Sequence, residues 1–171
     1  MMKKMMTLLC AVLMGAALSV SADVGYWFDY PAEMTAANVD GCRFGLPVSS
    51  GTGLVDGAEL SILLAGTRQI NGLQLTLLGL NCASAVKGTQ VAGLNIATRE
   101  LDGAQVGVFN HSAKGGWQFG LINCCSDDAT FQLGLVNYNE NGWFPVTVLV
   151  NFGSDFWRDC GICQGGICPA E

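Results

Sequence analysis

Apolar and small residues alternate along the chain in a pattern that returns every 13 to 16 residues. The segment from Gly103 to Asn123 shows it twice, since "GAQVGVFN" is followed by "GWQFGLIN". In each copy a glutamine precedes an apolar residue and then a small residue, which is the period-two alternation of a strand with one buried face. Earlier copies carry Arg43 and Glu59 at the glutamine position. The pattern predicts an all-β repeat protein.

Two amide positions recur inside the repeat. The glutamines are Gln74, Gln90, Gln105, Gln118 and Gln132. The asparagines are Asn81, Asn95, Asn110, Asn123, Asn137 and Asn151. The asparagine follows the glutamine by five residues in most copies and by seven in the Gln74 copy, and in a closing copy Asn151 follows Phe144 by seven. An insertion of two residues keeps a side chain on the same face of a strand, so the spacing agrees with strands throughout.

One type of connection recurs about every 15 residues, as in a coil of two short strands and two turns with a path of roughly 50 Å. Coils stacked ~4.8 Å apart would place glutamine over glutamine and asparagine over asparagine, so that the amides bond along the stack. We therefore predict a β-solenoid of about 7–8 coils with capped ends. The alternative is a small eight-stranded outer-membrane β-barrel, with glutamine and glycine facing the lumen.

Alternation places each glutamine on the opposite face from the apolar residue that follows it, such as Val106 or Phe119. Assigning the apolar face to the interior makes the five glutamines an exposed candidate contact face. The six asparagines are then a structural ladder. A glycine stands two positions before most of the glutamines, and we expect it at tight corners of the coil.

The ends of the chain differ from the repeats. Residues 1–22 have a basic start, an apolar stretch and a small-residue site ending at Ala22, which predicts a cleaved secretory signal peptide. We assign residues 23–40 to an N-terminal cap, 41–153 to the β-repeat domain and 154–171 to a cysteine-rich tail. The predicted location is outside the cytoplasm: the periplasm, the outer surface or the extracellular space.

Charge and motif content argue against a nucleic-acid partner, a cofactor and catalytic activity. The net charge is −6 and only 13% of residues are charged, which argues against nucleic acid as a partner. Neither a phosphate-binding loop nor a dinucleotide fingerprint is present, so we predict no cofactor. The single histidine, His111, is expected in an exposed turn, and the adjacent Asp127 and Asp128 in a solvated turn. We therefore predict no catalytic residues and no enzyme activity.

The cysteines leave alternatives open. Cleavage of the signal peptide would leave seven, an odd number. Cys160, Cys163 and Cys168 are candidates for at least one disulfide that staples the tail. A metal site is the second alternative, and it would need a second cysteine pair or histidines. The third alternative is a free or redox-active thiol. We predict no metal ligands.

The stretch from Gly57 to Gly153 resembles the bacterial exported "surface repeat-containing" proteins. It carries their repeat of glycine, glutamine and asparagine in "GAQVGVFN", "GWQFGLIN" and "TFQLGLVN", and their closing segment in "NGWFPVTVLVNFG". The resemblance implies a non-catalytic envelope or surface protein whose partner is unknown. Binding to ice or a crystal surface would need a regular threonine array, which Thr76 and Thr89 do not make.

Overall fold

The computed structural model describes residues 25–29, as backbone alone, and residues 38–155. All regular secondary structure within these residues is β-strand. The strands are β1 Gly25–Asp29, β2 Val39–Gly45, β3 Val48–Ser50, β4 Leu54–Ser61, β5 Leu64–Thr76, β6 Leu80–Val91, β7 Leu94–Ser112, β8 Trp117–Cys125, β9 Phe131–Asn139 and β10 Val146–Phe152. The predicted signal peptide, most of the predicted N-terminal cap and nearly all of the cysteine-rich tail lie outside these residues.

All ten strands belong to one sheet, and successive strands from β1 to β9 pair in parallel, with β3 pairing separately onto β5. Equivalent repeat positions align, since Gln90 lies opposite Gln74 on one side and Gln105 on the other. Parallel coils stacked in this register form a β-solenoid, so the predicted fold is confirmed. A closed barrel of antiparallel neighbours is not the arrangement that these residues adopt.

Each coil has two legs and two corners. β5 belongs to both legs, with one corner at Arg68 and the other between β5 and β6. Residues 64–67 pair with 80–83 in one leg, and residues 69–75 pair with 85–91 in the other. The two extra residues after Gln74 lie at the corner between β5 and β6, where Leu77 and Leu78 are 67% and 77% exposed. Asn81 therefore still lies opposite Asn95. An insertion of two is absorbed outside the stack without changing which side chains face inward.

The interior contains few apolar side chains. One column of aliphatic residues, one per coil, joins two alanines of the other leg. This apolar cluster consists of Val39, Val55, Ile70, Val86, Leu101, Ala83 and Ala97. The remaining interior positions of the described coils are mostly polar, and the two amide columns supply half of the buried polar residues. The interior is thus held by polar contacts along the stack as much as by apolar packing.

The last strand does not continue the parallel stack. β10 pairs with β9 antiparallel, and Gly142 bridges to Gly153 beneath it. The chain therefore reverses after Asn139 and closes this end as a hairpin. The interpretation of Phe144 as one more glutamine-equivalent position is wrong, since Phe144 lies before β10 and is exposed. A reversed strand leaves no parallel edge on β9, which is a common protection against edge-to-edge association.

Most of the glycines before the glutamine positions lie inside strands and not at corners, contrary to the prediction; Gly116 agrees with it, since it lies in the turn between β7 and β8. Gly57, Gly72, Gly88 and Gly103 align with one another inside strands, with φ between 124° and 143°. A Cβ on Gly103 would come within 1.9 Å of the carbonyl oxygen of Gly88. The column needs glycine because this φ is strained for other residues and because each backbone lies against the carbonyl of the coil before it.

Candidate functional site

The glutamine ladder, which comprises Gln74, Gln90, Gln105, Gln118 and Gln132, is fully buried. Each glutamine after the first donates from Nε2 to Oε1 of the glutamine one coil earlier, over 2.6 to 2.9 Å. The Nε2 group also donates to a backbone carbonyl in several coils, as from Gln105 to His111 at 3.0 Å. These bonds satisfy the amide nitrogens inside the stack, so their burial carries little penalty.

The prediction that these glutamines form an exposed contact face is therefore wrong. The face of the strand that carries the glutamines points into the coil, and the face that carries the apolar residues points outward, which is the reverse of the prediction. Gln105 is 0% exposed, whereas Val106 beside it is 42% exposed. Alternation separates the two faces of a strand but does not say which of them is enclosed. Amides that recur in register can bond to their own copies, and this makes the polar face the interior.

The asparagine ladder occupies the other leg. Asn81, Asn95, Asn110 and Asn123 each donate from Nδ2 to Oδ1 of the asparagine one coil later, over 2.8 to 3.0 Å, ending at Asn137. All five are fully buried. Asn151 does not join them, because it lies opposite Gln132 in the antiparallel pair and donates to the carbonyl of Phe144. The predicted sixth member is thus part of the closing hairpin.

The two ladders point in opposite directions. Donors of the glutamine ladder face the N-terminal end of the stack, and donors of the asparagine ladder face the C-terminal end. The amide dipoles of one leg therefore oppose those of the other. Small residues make room for the asparagines, since a Cβ on Gly120 would lie 2.5 Å from Nδ2 of Asn110. Gly107, Gly120 and Gly134 lie two positions after their glutamines, and in each a Cβ would crowd both an asparagine amide and a backbone carbonyl oxygen of the coil before.

Charged residues close the N-terminal end of the glutamine ladder. Gln74 donates to Oε2 of Glu59 at 2.7 Å, and the hydroxyl of Ser49 donates to Oε1 at 2.6 Å. Arg43 lies one coil further, with its Nε 3.9 Å from the carboxylate of Glu59 and a hydrogen bond from its guanidinium to the carbonyl of Ser50. Both charged side chains are 0% exposed. The two charged copies of the repeat thus form a buried ion pair that ends the ladder.

The C-terminal end of the ladders is less completely bonded. Oε1 of Gln132 is buried and has no hydrogen-bond partner among the described residues, and the same holds for the hydroxyl of Thr147. Asn151 and Thr147 lie opposite Gln132 and Asn137 respectively, where a further parallel coil would have placed another amide. The hairpin covers this end without continuing either row of amide bonds.

The aliphatic residues that the repeats carry lie mostly outside. We call the exposed aliphatic side chains around the corner between β5 and β6, and around the equivalent places of the other coils, the apolar band. Its members are Leu46, Leu63, Leu77, Leu78, Leu94, Val106, Val108, Leu121, Ile122, Leu133, Leu135, Val136, Val146, Val148 and Leu149. They fall in eight segments that contain no charged residue: 44–48, 60–64, 75–80, 91–94, 106–109, 119–122, 133–136 and 146–150. Contiguous apolar surface of this size marks an interaction site in most soluble proteins.

Aromatic rings extend this surface at the C-terminal end of the stack. Trp117, Phe119, Phe131 and Phe152 pack in sequence across the last strands, with ring centroids 5.4 to 6.4 Å apart. Trp143, beyond the last parallel strand, is 75% exposed. Charged side chains lie elsewhere: Asp56, Lys87 and Asp102 occupy one outward column beside the glycines. The exterior therefore has one apolar side and one charged side.

The residues considered for catalysis are dispersed. His111 lies in β7 opposite Cys124 and is half-buried, so its assignment to an exposed turn is wrong. Asp127 accepts a hydrogen bond from the backbone of Gly115, and Asp128 accepts one from Ser154. The two carboxylates bind different loops and do not form an acid–base pair. In residues 38–155, three or more His, Cys, Asp or Glu side chains nowhere come together as metal ligands.

The described cysteines fall into two groups. Cys42 is buried and disulfide-bonded. Cys82, Cys124 and Cys125 are free thiols, so no disulfide joins two of the described cysteines. Burial raises the pKa of the thiols of Cys82 and Cys124, and the neighbouring Cys125 raises that of Cys124 further. The candidate tail cysteines Cys160, Cys163 and Cys168 lie outside the described residues.

One shallow groove of about 360 Å³ lies along the leg of residues 64–67 and 80–83, lined by Ser50, Thr67, Arg68, Cys82 and Ser84 among others. It holds a single charged side chain and none of the repeated amides. Residues 25–29 and 38–155 contain no helix that is long and apolar enough to cross a membrane. The apolar band is the largest set of exposed aliphatic side chains among residues 38–155.

No family model matches the chain, and neither a curated protein nor a solved structure matches it. Sequence reasoning missed the apolar band, although its signal is present in the chain. The eight charge-free segments recur at the repeat spacing, and the first seven each follow directly after the amide or charged position of their coil. Their regular recurrence would have indicated an apolar side of the stack as readily as an apolar core.

Proposed function

We propose that the protein is an exported envelope or surface repeat protein that acts as a non-catalytic structural and binding module. The apolar band is its contact surface. The observation that carries this proposal is the arrangement of a self-satisfied amide interior with an uncharged aliphatic exterior. A chain that needed its aliphatic residues for its core would not leave Leu78 77% exposed and Leu135 56% exposed.

The interior supports a structural role because the amides of both ladders bond to one another along the stack. The side chains of both ladders are fully buried, so a ligand has no access to them. Recognition by this molecule therefore has to use its exterior. Rigid stacks of this kind present long, repetitive surfaces.

Export is supported by the N-terminal segment and by the proposed tail staple. Expression of the complete chain in a bacterial host, followed by fractionation and intact-mass measurement, tests both. We expect a mass that begins after Ala22 and a location outside the cytoplasm. We also expect the tail cysteines Cys160, Cys163 and Cys168 to include at least one pair that resists alkylation until a reductant is added. An uncleaved chain in the cytoplasm would contradict the proposal.

The contact surface is tested separately by substitution in the band. Leu121→Glu places a charge on an exposed position that is 50% accessible, so the fold should be retained. We expect this variant to be lost from the cell-envelope fraction. The matched control is Lys87→Glu on the charged side, which should stay with the wild type.

A further inference from the structure

We propose that the apolar band is covered by the same band of a second copy of this chain, so that two stacks pack face to face about a twofold axis. This deepens the proposed function, since it names the partner of the contact surface and rests on that assignment. A twofold interface uses one surface patch twice, so the patch has to complement itself. The apolar band satisfies this condition in area, in charge and in shape.

The area of the band is that of a stable interface. Eight segments one strand spacing apart give a height of about 34 Å. The fifteen exposed aliphatic side chains together offer on the order of 1,000 Å² of accessible surface, beyond the ~300–600 Å² of the largest patch on a typical monomer. A specific protein interface buries about 800 Å² on each partner. One copy of the band is therefore large enough to bind another.

The charge distribution favours a second copy over a lipid surface. The eight segments hold no charged residue, so two bands can meet without burying an unpaired charge. The outward charges, such as Asp56 and Asp102, lie beside the glycine column and remain in water when the bands meet. The net charge of −6 disfavours approach to an anionic membrane, and it also opposes association of two copies, so the burial of the two uncharged bands has to outweigh this repulsion.

The shape of the band is self-complementary near its middle. Leu77 and Leu78 protrude at the corner of the third segment because of the two inserted residues. Gly93, in the fourth segment, is exposed and has no side chain: a Cβ there would meet only the carbonyl oxygen of Gly79, at 3.3 Å, so the space above it is open to a side chain of the partner. A twofold axis between these two segments seats Leu78 of each copy over Gly93 of the other. Both copies share the strand spacing, so the flanking side chains can interdigitate in the same register.

Analytical ultracentrifugation of the purified exported chain over the micromolar range tests the inference. We expect a dimer for the wild type. Leu78→Glu should raise the dimer dissociation constant by at least about tenfold. Gly93→Leu should do the same by filling the space above Gly93 while keeping the band apolar. Lys87→Glu should leave the dimer unchanged, and circular dichroism of every variant should match the wild type.

The outcomes that overturn the inference are distinct from those that overturn the proposed function. A wild type that stays monomeric refutes the second copy, as does a dimer that Leu78→Glu and Gly93→Leu both leave intact while the variants remain folded. If the monomer then co-sediments with phosphatidylcholine vesicles and Leu78→Glu abolishes this, the band is a lipid-binding surface and its role as contact surface stands. A monomer that binds neither a copy nor vesicles overturns both proposals.

Discussion

Gln105 and Val106 are neighbours in the chain, and their environments are the opposite of what their chemistry suggests. The glutamine is fully buried between two other glutamines, and the valine faces outward. The comparison between the amide interior and the apolar exterior teaches that burial in a stack depends on periodicity as well as on hydrophobicity. A polar group that meets its own copy every ~4.8 Å is satisfied without water, so it can lie inside. The aliphatic residues are then available for contact with a partner.

The largest effect should come from the charged end of the interior. Glu59→Gln keeps the shape of the side chain but removes the carboxylate 3.9 Å from the buried Arg43. Breaking a buried ion pair by removing one partner costs about 3–5 kcal/mol. Urea unfolding of the variant should show a loss of this size. The double variant Arg43→Gln, Glu59→Gln extends the glutamine ladder by two coils and should recover most of it. A single variant as stable as the wild type would show that the ion pair contributes nothing to the ladder.

The next largest difference in stability is expected between a glycine of the stacked column and a glycine of the apolar band. Gly103→Ala introduces a Cβ 1.9 Å from a carbonyl oxygen at a φ of 143°, and we expect a loss of about 2–4 kcal/mol in the free energy of unfolding. Gly93→Ala has room on the outside and should change stability by less than about 1 kcal/mol. Thermal unfolding of the two variants measures the difference. Equal effects would mean that the stacked glycine column is not needed.

Substitutions at Gln105 and Val106 compare the stability contributed by a buried amide with that of an exposed aliphatic side chain. Gln105→Ala removes the acceptor of Gln118 and the donor to Gln90, and each buried group left unpaired costs about 1–3 kcal/mol. We expect a total loss of about 2–4 kcal/mol, because Gln118 keeps its bond to the carbonyl of Cys124. Val106→Ala should cost less than about 1 kcal/mol, since the side chain is half outside. If urea midpoints gave the reverse order, the amide interior would be refuted.

The smallest expected effect concerns the free thiols. Raised pKa values reduce the thiolate fraction at pH 8, and the thiolate is the reactive form. Cys82 and Cys124 should therefore react with iodoacetamide several-fold more slowly than a model thiol, and Cys125, which is buried against Thr130, more slowly still. The rates of Cys82 and Cys124 should rise as the pH passes above the ordinary value of 9.0. Mass spectrometry of peptides from timed reactions measures this, and full labelling of Cys125 at the rate of a free thiol would contradict its burial.

The raised thiol pKa values also give a sign for stability. When the pKa of a thiol is higher in the folded state, the unfolded chain loses the proton at a lower pH than the folded protein does. Ionisation therefore stabilises the unfolded chain first, and the free energy of unfolding falls between the two pKa values. The contribution of Cys82 and Cys124 is therefore intact below the unfolded pKa and is lost as the pH rises through the folded value. Below about pH 8, where an ordinary thiol is largely protonated, the two cysteines should add no pH dependence to unfolding.

Much of the fold follows from the chain itself. The spacing of the repeat, the parity of the two-residue insertion before Asn81 and the recurrence of Gln and Asn predict parallel stacked coils, and the register shows them. The charged copies at Arg43 and Glu59 were recognised as repeats, but their role as a buried pair depends on side chains from two coils and on Ser49. Nothing in a one-dimensional pattern says that the two would be enclosed together.

The spacing and residue types of the repeat are therefore sufficient to predict the period, the strand character and the residues that form each column. Which face is enclosed was decided only by the tertiary structure, because period-two alternation is the same whether a strand is read from inside or from outside. The reversal of β10 was also undecidable from the repeat, since Phe144 and Asn151 keep the repeat spacing although the strand runs antiparallel. The physical reason is common to both: spacing along one chain fixes which residues share a face, whereas enclosure and direction depend on the bonds that each face makes with its neighbours.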